Sequence, residues 1–451
     1  MRDDAKPTLR PQLRLFDAIA TGLAAILGAG IFAVVAPAAG IAGPALLVSL
    51  LIAAFVAFCN AMSSAQLAVV YPRAGGTYEF GRRVLGKWWG YSAGWMFLVA
   101  NTVGPGAIAL AFGGYAVAVL PALPVRAVAV VAALGMTAIN ALGIRRSVRV
   151  TDVVVVLSIL SLLAFVVIGL PQSHLSNLSP FFPPSGLGGV LNATALLFFA
   201  YTGYSRIATL VEEVHDPEST IPKATVTALG TATGLYVLVA VTAIAVLGAP
   251  ALARSSSPLE ATMTAVGSAA GVAIIAAGAL LTTFNEGLSD LLGVSRVAFA
   301  MSRETDLPQG LAQLGNGHNP WRSVLFVGAI AILVAGFAPF TLAIAVSSFG
   351  TLLYYSVANL SALRLKKEQR KFPSALSVAG LIGCVGLAFS LDLQEIEIGL
   401  AILLAGLLYR SIRLVAMRKL NGVMNINQTS NELRIRSAGT TPRDYQRDLA
   451  L

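Results

Sequence analysis

The 451-residue chain is 56% hydrophobic and only 12% charged, with a formal net charge of +10. An ordinary soluble domain carries about 25% charged residues, so this composition excludes that class and points to a chain built for lipid. The basic excess does not mark a nucleic-acid partner, because all but two of the 31 Lys and Arg residues lie in alternate connections between apolar runs. The two exceptions are Arg126 and Arg254.

Twelve spans are predicted, near 16–41, 44–70, 90–119, 124–142, 151–170, 188–211, 224–248, 264–298, 323–338, 341–363, 375–391 and 395–413. Each is close to the length that crosses a bilayer as a helix. The positive-inside rule then puts both termini in the cytoplasm and the protein in the cell membrane. Residues 1–15 form an N-terminal tail, and the Asn-, Ser- and Arg-rich stretch 420–451 reads as a flexible cytoplasmic tail. The first apolar run is too long for a cleaved signal, so it stays as a span. Spans nine to twelve are short and separated by Gly336, Pro339, Asp392 and Glu395, so re-entrant hairpins stay an alternative there. Cys59 and Cys384 stand alone in apolar runs, which implies buried free thiols and neither metal nor disulfide, and no cofactor is expected. His174, His215 and His318 fall in connections, so no intramembrane histidine relay is expected.

The first span carries Ile26-Leu27-Gly28-Ala29-Gly30-Ile31-Phe32, two glycines at mid-depth. Backbone groups in lipid must be satisfied internally, so a loosened turn belongs where it faces a cavity. The sixth span has a comparable interruption, Phe199-Ala200-Tyr201-Thr202-Gly203-Tyr204. Paired breaks in two halves of a membrane chain point to a transporter's binding site. Free N–H groups at one half-helix suit a carboxylate, and free carbonyls at the other suit an ammonium or a cation. Such a receptor avoids the cost of a buried charged side chain, about 2.5–3.5 kcal/mol near mid-membrane. The competing reading is small-residue packing between helices. In the third span Asn101 and Thr102 either reach a substrate's side chain or hold helices together. In the eighth, Glu286 and Asp290 are four apart and share a helical face. They are candidates for carrying a proton or meeting a cationic substrate; the alternative is pairing with Arg206 or Arg149 in the cytoplasmic half. Two five-span halves, 16–170 and 188–363, each open with a broken span, and an odd number of spans inverts the second half. Residues 375–413 supply two peripheral spans.

Several motifs carry a family resemblance. Gly28-Ala29-Gly30-Ile31-Phe32 resembles the G-[SA]-G-I-F motif of the amino acid–polyamine–organocation superfamily. Tyr71-Pro72-Arg73-Ala74-Gly75-Gly76-Thr77-Tyr78 is similar to its loop after the second span, and Asn140, Gly143, Ser147 and Arg149-Val150 to its connection between spans four and five. Phe198-Phe199-Ala200-Tyr201 with Gly203, then Glu212-Glu213-Val214, Asp216-Pro217 and Ile221-Pro222-Lys223-Ala224, resembles its sixth-span signature. Ser295-Arg296, Ala300-Met301-Ser302-Arg303 and Leu307-Pro308 resemble the end of its eighth span.

The resemblance implies an all-α integral membrane protein of the leucine-transporter type, with a 5+5 inverted repeat and two peripheral helices. It implies that the substrate carboxylate meets N–H groups around Gly28, Ala29, Gly30 and Ile31. The ammonium would meet carbonyls of Ile26, Phe199, Ala200 and Tyr201 or Thr202. Phe199 matches an aromatic that closes over the substrate; Glu212 and Glu213, at the cytoplasmic end of the sixth span, are expected to anchor the inner gate. In one branch of the family a lysine on the fifth span takes the place of sodium. That place falls on Ser158 here, and no Lys or Arg lies between Thr151 and Leu170. Hydroxyls of Thr282, Thr283 and Ser289, with helix-one carbonyls, are then candidates for sodium.

The expected function is secondary active transport of amino acids by alternating access, proton-coupled or exchanging. A polyamine or other organocation transporter, or a non-transporting amino-acid sensor on the same fold, is the alternative. A channel would favour symmetric rings of carbonyls or charges. No phosphate loop, nucleophile triad or metal spacing points to an enzyme. The partners implied are an amino acid, a coupling H+ or Na+, and the bilayer, with no nucleic acid; the sequence names no partner subunit.

Overall fold

The computed structural model describes residues 14–71, 76–143, 148–204, 207, 214–315 and 319–437, with side chains excepted at 148–149 and 416–437. Among them the secondary structure is helical, and no strand is formed. In chain order the helices are α1 (Leu15–Ile26), α2 (Val35–Ala42), α3 (Leu46–Val70), α4 (Gly76–Val84), α5 (Lys87–Val119), α6 (Val125–Ala141), α7 (Val148–Gly169) and α8 (Gly186–Leu197). Then follow α9 (Pro217–Leu247), α10 (Ala249–Ala253), α11 (Pro258–Val266), α12 (Ala269–Arg303), α13 (Trp321–Phe337), α14 (Phe340–Leu363), α15 (Ser374–Ala388) and α16 (Leu393–Ser437). All the predicted spans appear. The first is α1 and α2 joined by a π-helical turn at Gly30–Val34, and the sixth is α8 continued by a 3-10 turn at Phe198–Tyr204. The protein is a multi-pass membrane protein of the leucine-transporter type. Two compact units are distinguished, residues 1–400 and 401–451.

Differences from the sequence reading have local causes. The eighth span begins at Ala269 and not near 264, because Gly267 turns with φ 76° and the Ser268 hydroxyl accepts from the Gly271 N–H at 3.0 Å. The residues before that turn form the separate helix α11. Spans nine to twelve are four distinct helices. Pro339 stands at the N-cap of α14 and Pro373 at that of α15, where a missing N–H costs nothing. Helix α16 runs on to Ser437, past the point near 420 where the sequence reads as tail, and no proline interrupts it before Pro442.

Helix α7 shows how the sequence chooses its faces. Val155, Ser158, Leu162 and Phe165 are buried, while Val153, Val156, Leu157, Leu160, Leu163 and Val167 are exposed. The split follows the 3.6-residue period, yet both faces are apolar because one meets lipid. Helix α5 packs along α12 and α14 at the centre of the first unit. Its buried Ala100, Gly104, Ala107 and Gly114 allow that close approach. Pro105 inside α5 has no N–H to give, so the Asn101 carbonyl is released from the helix ladder.

Candidate functional site

Helix α1 ends where Leu27 leaves helical geometry, at φ −71° and ψ 115°, with its own N–H still donating to the Leu23 carbonyl at 2.8 Å. The chain re-enters helix at Ala29, and the Phe32 N–H reaches the Gly28 carbonyl only at 3.5 Å. The first span is therefore interrupted at Leu27–Gly28, at the leading edge of the glycine pair that signals it. The loosened groups are taken up from other helices. The Tyr236 hydroxyl on α9 donates to the Ile26 carbonyl at 2.7 Å and lies 3.3 Å from the Ala200 carbonyl, bridging the two interruptions. The Tyr115 hydroxyl on α5 donates to the Phe32 carbonyl at 2.6 Å and accepts from the Leu259 N–H at 3.3 Å.

The two interrupted spans touch through glycine. A Cβ on Gly30 would lie 2.4 Å from the Ala200 Cα, and one on Gly203 would lie 1.8 Å from the Ala25 carbonyl oxygen. Gly30 thus packs one span on the other, while Gly28 turns elsewhere. A Cβ on Gly28 would meet the Glu286 carboxylate, 2.1 Å from Cδ. Ala29 donates its N–H to Glu286 Oε2 at 2.7 Å. The anion place at the restart of the first span is therefore held by a carboxylate of the chain itself, half-buried at the middle of α12. Glu286 stands at the mid-point of α12, which runs from Ala269 to Arg303. Arg206, one proposed partner, lies outside the described residues, as does the side chain of Arg149.

Asp290, one turn further along α12, converges with Phe199 and Ser347 on Gly104 of α5. A Cβ at Gly104 would lie 3.5 Å from Ser347 Oγ, 3.7 Å from Phe199 Cε2 and 3.9 Å from Asp290 Oδ2. Phe199 is buried there. Thr202 donates to the Phe199 carbonyl at 2.9 Å, and the Tyr355 hydroxyl reaches the Thr202 carbonyl at 3.5 Å. Tyr201 is buried against Tyr236, with ring centroids 5.4 Å apart. Ile31 is buried in the π-helical turn. Asn101 and Thr102 donate to their own preceding turn, to Phe97 at 2.9 Å and Leu98 at 2.5 Å.

The hydroxyls proposed for sodium are likewise engaged locally. Thr282 donates to the Gly278 carbonyl and Thr283 to that of Ala279, each at 2.6 Å. The Ser158 hydroxyl bonds that of Thr282 and donates to the Val154 carbonyl at 2.7 Å. The position where the resemblance would put a lysine thus ties α7 to α12. Ser289 is half-buried between Glu286 and Asp290 on α12. Glu212 and Glu213 lie outside the described residues.

Sequence reasoning missed Tyr236, Tyr115 and Gly104. For Tyr236 a signal exists: it sits on a buried stripe of small residues, Ala228, Ala232, Ala240 and Ala243, where a lone large polar-tipped side chain needs a partner.

Away from the breaks, α4 is fastened to the connection that follows α12. Tyr78 donates to Asp306 Oδ2 at 2.7 Å, and Arg82 donates to the Tyr78 hydroxyl at 2.6 Å and to Glu304 at 3.2 Å. The Thr77 N–H donates to the Tyr354 hydroxyl on α14 at 3.1 Å. Tyr354 packs edge-on against Tyr355, which stacks on Tyr204 of the 3-10 turn at 5.1 Å. A continuous line of contacts runs from the sixth-span interruption to α4.

The signature of the amino acid permease family matches residues 17–425. An uncharacterised transporter of Mycobacterium tuberculosis is 43% identical over 428 residues, covering 92% of this chain and 94% of the relative. The branched-chain amino acid permease BcaP of Bacillus subtilis is 29% identical over 402 residues, covering 84% of this chain and 86% of the relative. The cationic amino acid transporter 4 of Mus musculus is 27% identical, covering 82% of this chain and 62% of the relative. These relatives are transporters and permeases, not enzymes. Their match extends over both interrupted spans and the helices packed on them, and the chain belongs to the amino acid permease family.

Proposed function

We propose that this chain is a secondary active carrier of amino acids that works by alternating access, coupled to protons or exchanging one amino acid for another. The observation that carries the reading is the pair of interrupted spans bridged by Tyr236, which brings backbone carbonyls and an N–H terminus together between α9 and α12. A zwitterion has the complementary charges, and backbone groups hold it without fixing its side chain. Substrate contacts are assigned to Ile26, Gly28, Ala29, Gly30, Ile31, Asn101, Phe199, Ala200, Tyr201 and Thr202, with Phe199 as the closing aromatic and Glu212 and Glu213 at the inner gate. Residues 16–170 and 188–363 act as the two inverted repeats, and the protein sits in the cell membrane with both termini in the cytoplasm.

A second reading is favoured by one observation. Glu286 and Asp290 both stand beside the interruptions, a pattern that suits a polyamine or other organocation. Counterflow in proteoliposomes tests the carrier reading. Vesicles preloaded with an amino acid should take up labelled amino acid faster than empty ones. Equal rates would indicate a channel, and binding without flux a sensor. Trans-stimulation by polyamines alone would select the second reading.

A further inference from the structure

Given the amino-acid carrier reading, on which this rests, we propose that Glu286 is a tethered competitor of the substrate's own carboxylate. It holds the Ala29 N–H until it takes a proton and swings away, and only then does an amino acid dock.

The geometry is that of a bound anion. Oε2 lies 2.7 Å from the Ala29 nitrogen, across 257 residues of sequence. Both oxygens and Cδ lie where a Cβ on Gly28 would stand, within 2.4 Å of that position. Glycine at 28 therefore makes room for this carboxylate, whereas Gly30 makes room for Ala200. One N–H at a helix start cannot serve two carboxylates, and two such charges at contact distance repel. Protonation removes both the repulsion and the charge-assisted bond that keeps Glu286 in place. The side chain is long and only half-buried, so its carboxyl end can move without displacing a helix.

The titratable groups around it fit this role. From α9 the Tyr236 hydroxyl faces it, its one proton already given to the Ile26 carbonyl. On α12 itself Asp290 follows one turn later. Contacts to this stretch from α5, α6 and α7 include the uncharged Gly104, Ile108, Met136, Asn140 and Ser158. Helix α11 carries Glu260, which accepts from Ser257 and Thr264. Helix α13 carries no charge beyond Arg322, α1 carries Asp17 in its first turn, and the first span meets the carboxylate through the Ala29 N–H. The proton comes from water on the loading side, rides on Glu286 with the amino acid, and leaves on the other side when the carboxylate returns to Ala29. Substrate and proton then move together.

Calorimetry on the purified full-length protein, in buffers of different ionisation enthalpy, tests this with L-leucine, L-arginine, 3-methylbutylamine and agmatine. For the amino acids, wild-type affinity should fall as pH is raised, with proton uptake on binding. Glu286→Gln should bind them about tenfold tighter at the higher pH, the worth of one charge-assisted hydrogen bond, and without proton uptake. Glu286→Asp, too short to reach Ala29, should also bind more tightly and serves if the glutamine variant does not fold. Equal affinity and equal proton uptake in wild type and variants would overturn the proposal. So would loss of amino-acid binding in folded Glu286→Gln, which would make Glu286 a substrate ligand. Binding of the two amines, with neither amino acid bound at any pH, would instead fail the carrier reading and take this inference with it.

Discussion

At the scale of single residues, the three glycines of the interrupted spans are not equivalent, although the sequence shows them alike. A Cβ at Gly28 meets the far end of a flexible side chain, whereas a Cβ at Gly203 meets the Ala25 carbonyl and one at Gly30 meets the Ala200 backbone. A carboxylate can rotate away, but a helix backbone cannot. Gly203→Ala should therefore lower stability by about 1–3 kcal/mol, the usual range for overpacking, and Gly28→Ala by much less. Thermal unfolding in detergent would compare them, and equal losses would show that Glu286 is as fixed as backbone. The motif at 28–32 was legible in the sequence because glycine in lipid is conspicuous. Which glycine faced a helix and which a side chain was not, since that depends on how α12 is rotated about its axis. Glu286 and Asp290 could be put on one face of a helix, but neither depth nor rotation is written in a spacing of four.

Elements were legible in proportion to their hydropathy. Most long apolar helices stand within a few residues of their predicted bounds, but α9 starts at Pro217 and α16 continues to Ser437, and the small helices α4 and α11 did not stand out as separate elements. Helix α4 is nine residues long, and tertiary bonds hold it in place. Burial, and then the hydrogen bond to Asp306, push the Tyr78 hydroxyl well above the ordinary tyrosine range. The phenol thus stays protonated and keeps donating. Because its folded value is raised, its contribution is complete below the ordinary value of about 10 and is lost only as pH rises towards the folded one. Tyr78→Phe should raise amide exchange across Gly76–Val84 at neutral pH. Glu304→Ala should change it little, because Arg82–Glu304 is a largely exposed pair worth about 0–1 kcal/mol. If both variants exchange alike, the surface pair and not the buried phenol fastens α4.

For the whole molecule, the distribution of basic residues makes a prediction that the fold sharpens. Arg126 breaks the alternation, and the structure gives it a local role. Its guanidinium donates to the carbonyls of Gly336 at 2.8 Å and Ala338 at 3.3 Å. These are carbonyls at the end of α13 with no partner in the helix, where a cation is favoured by the helix dipole. Arg126 at the start of α6 therefore shares a face with the α13–α14 turn, and the positive-inside rule predicts that this face is external. Had spans nine and ten been a hairpin entering from the cytoplasm, Ala338 would lie at mid-depth, away from Arg126. Both native cysteines are buried, so single introduced cysteines can be read against a quiet background. Ala122→Cys and Ala338→Cys should react with an impermeant maleimide on intact cells. Gln309→Cys and Lys367→Cys should react only after permeabilisation. External labelling at 309 or 367 would invert the topology, and with it the side from which the proposed carrier loads its substrate. Protection of 338 in both conditions would restore the hairpin and leave the Arg126 bonds without a shared face.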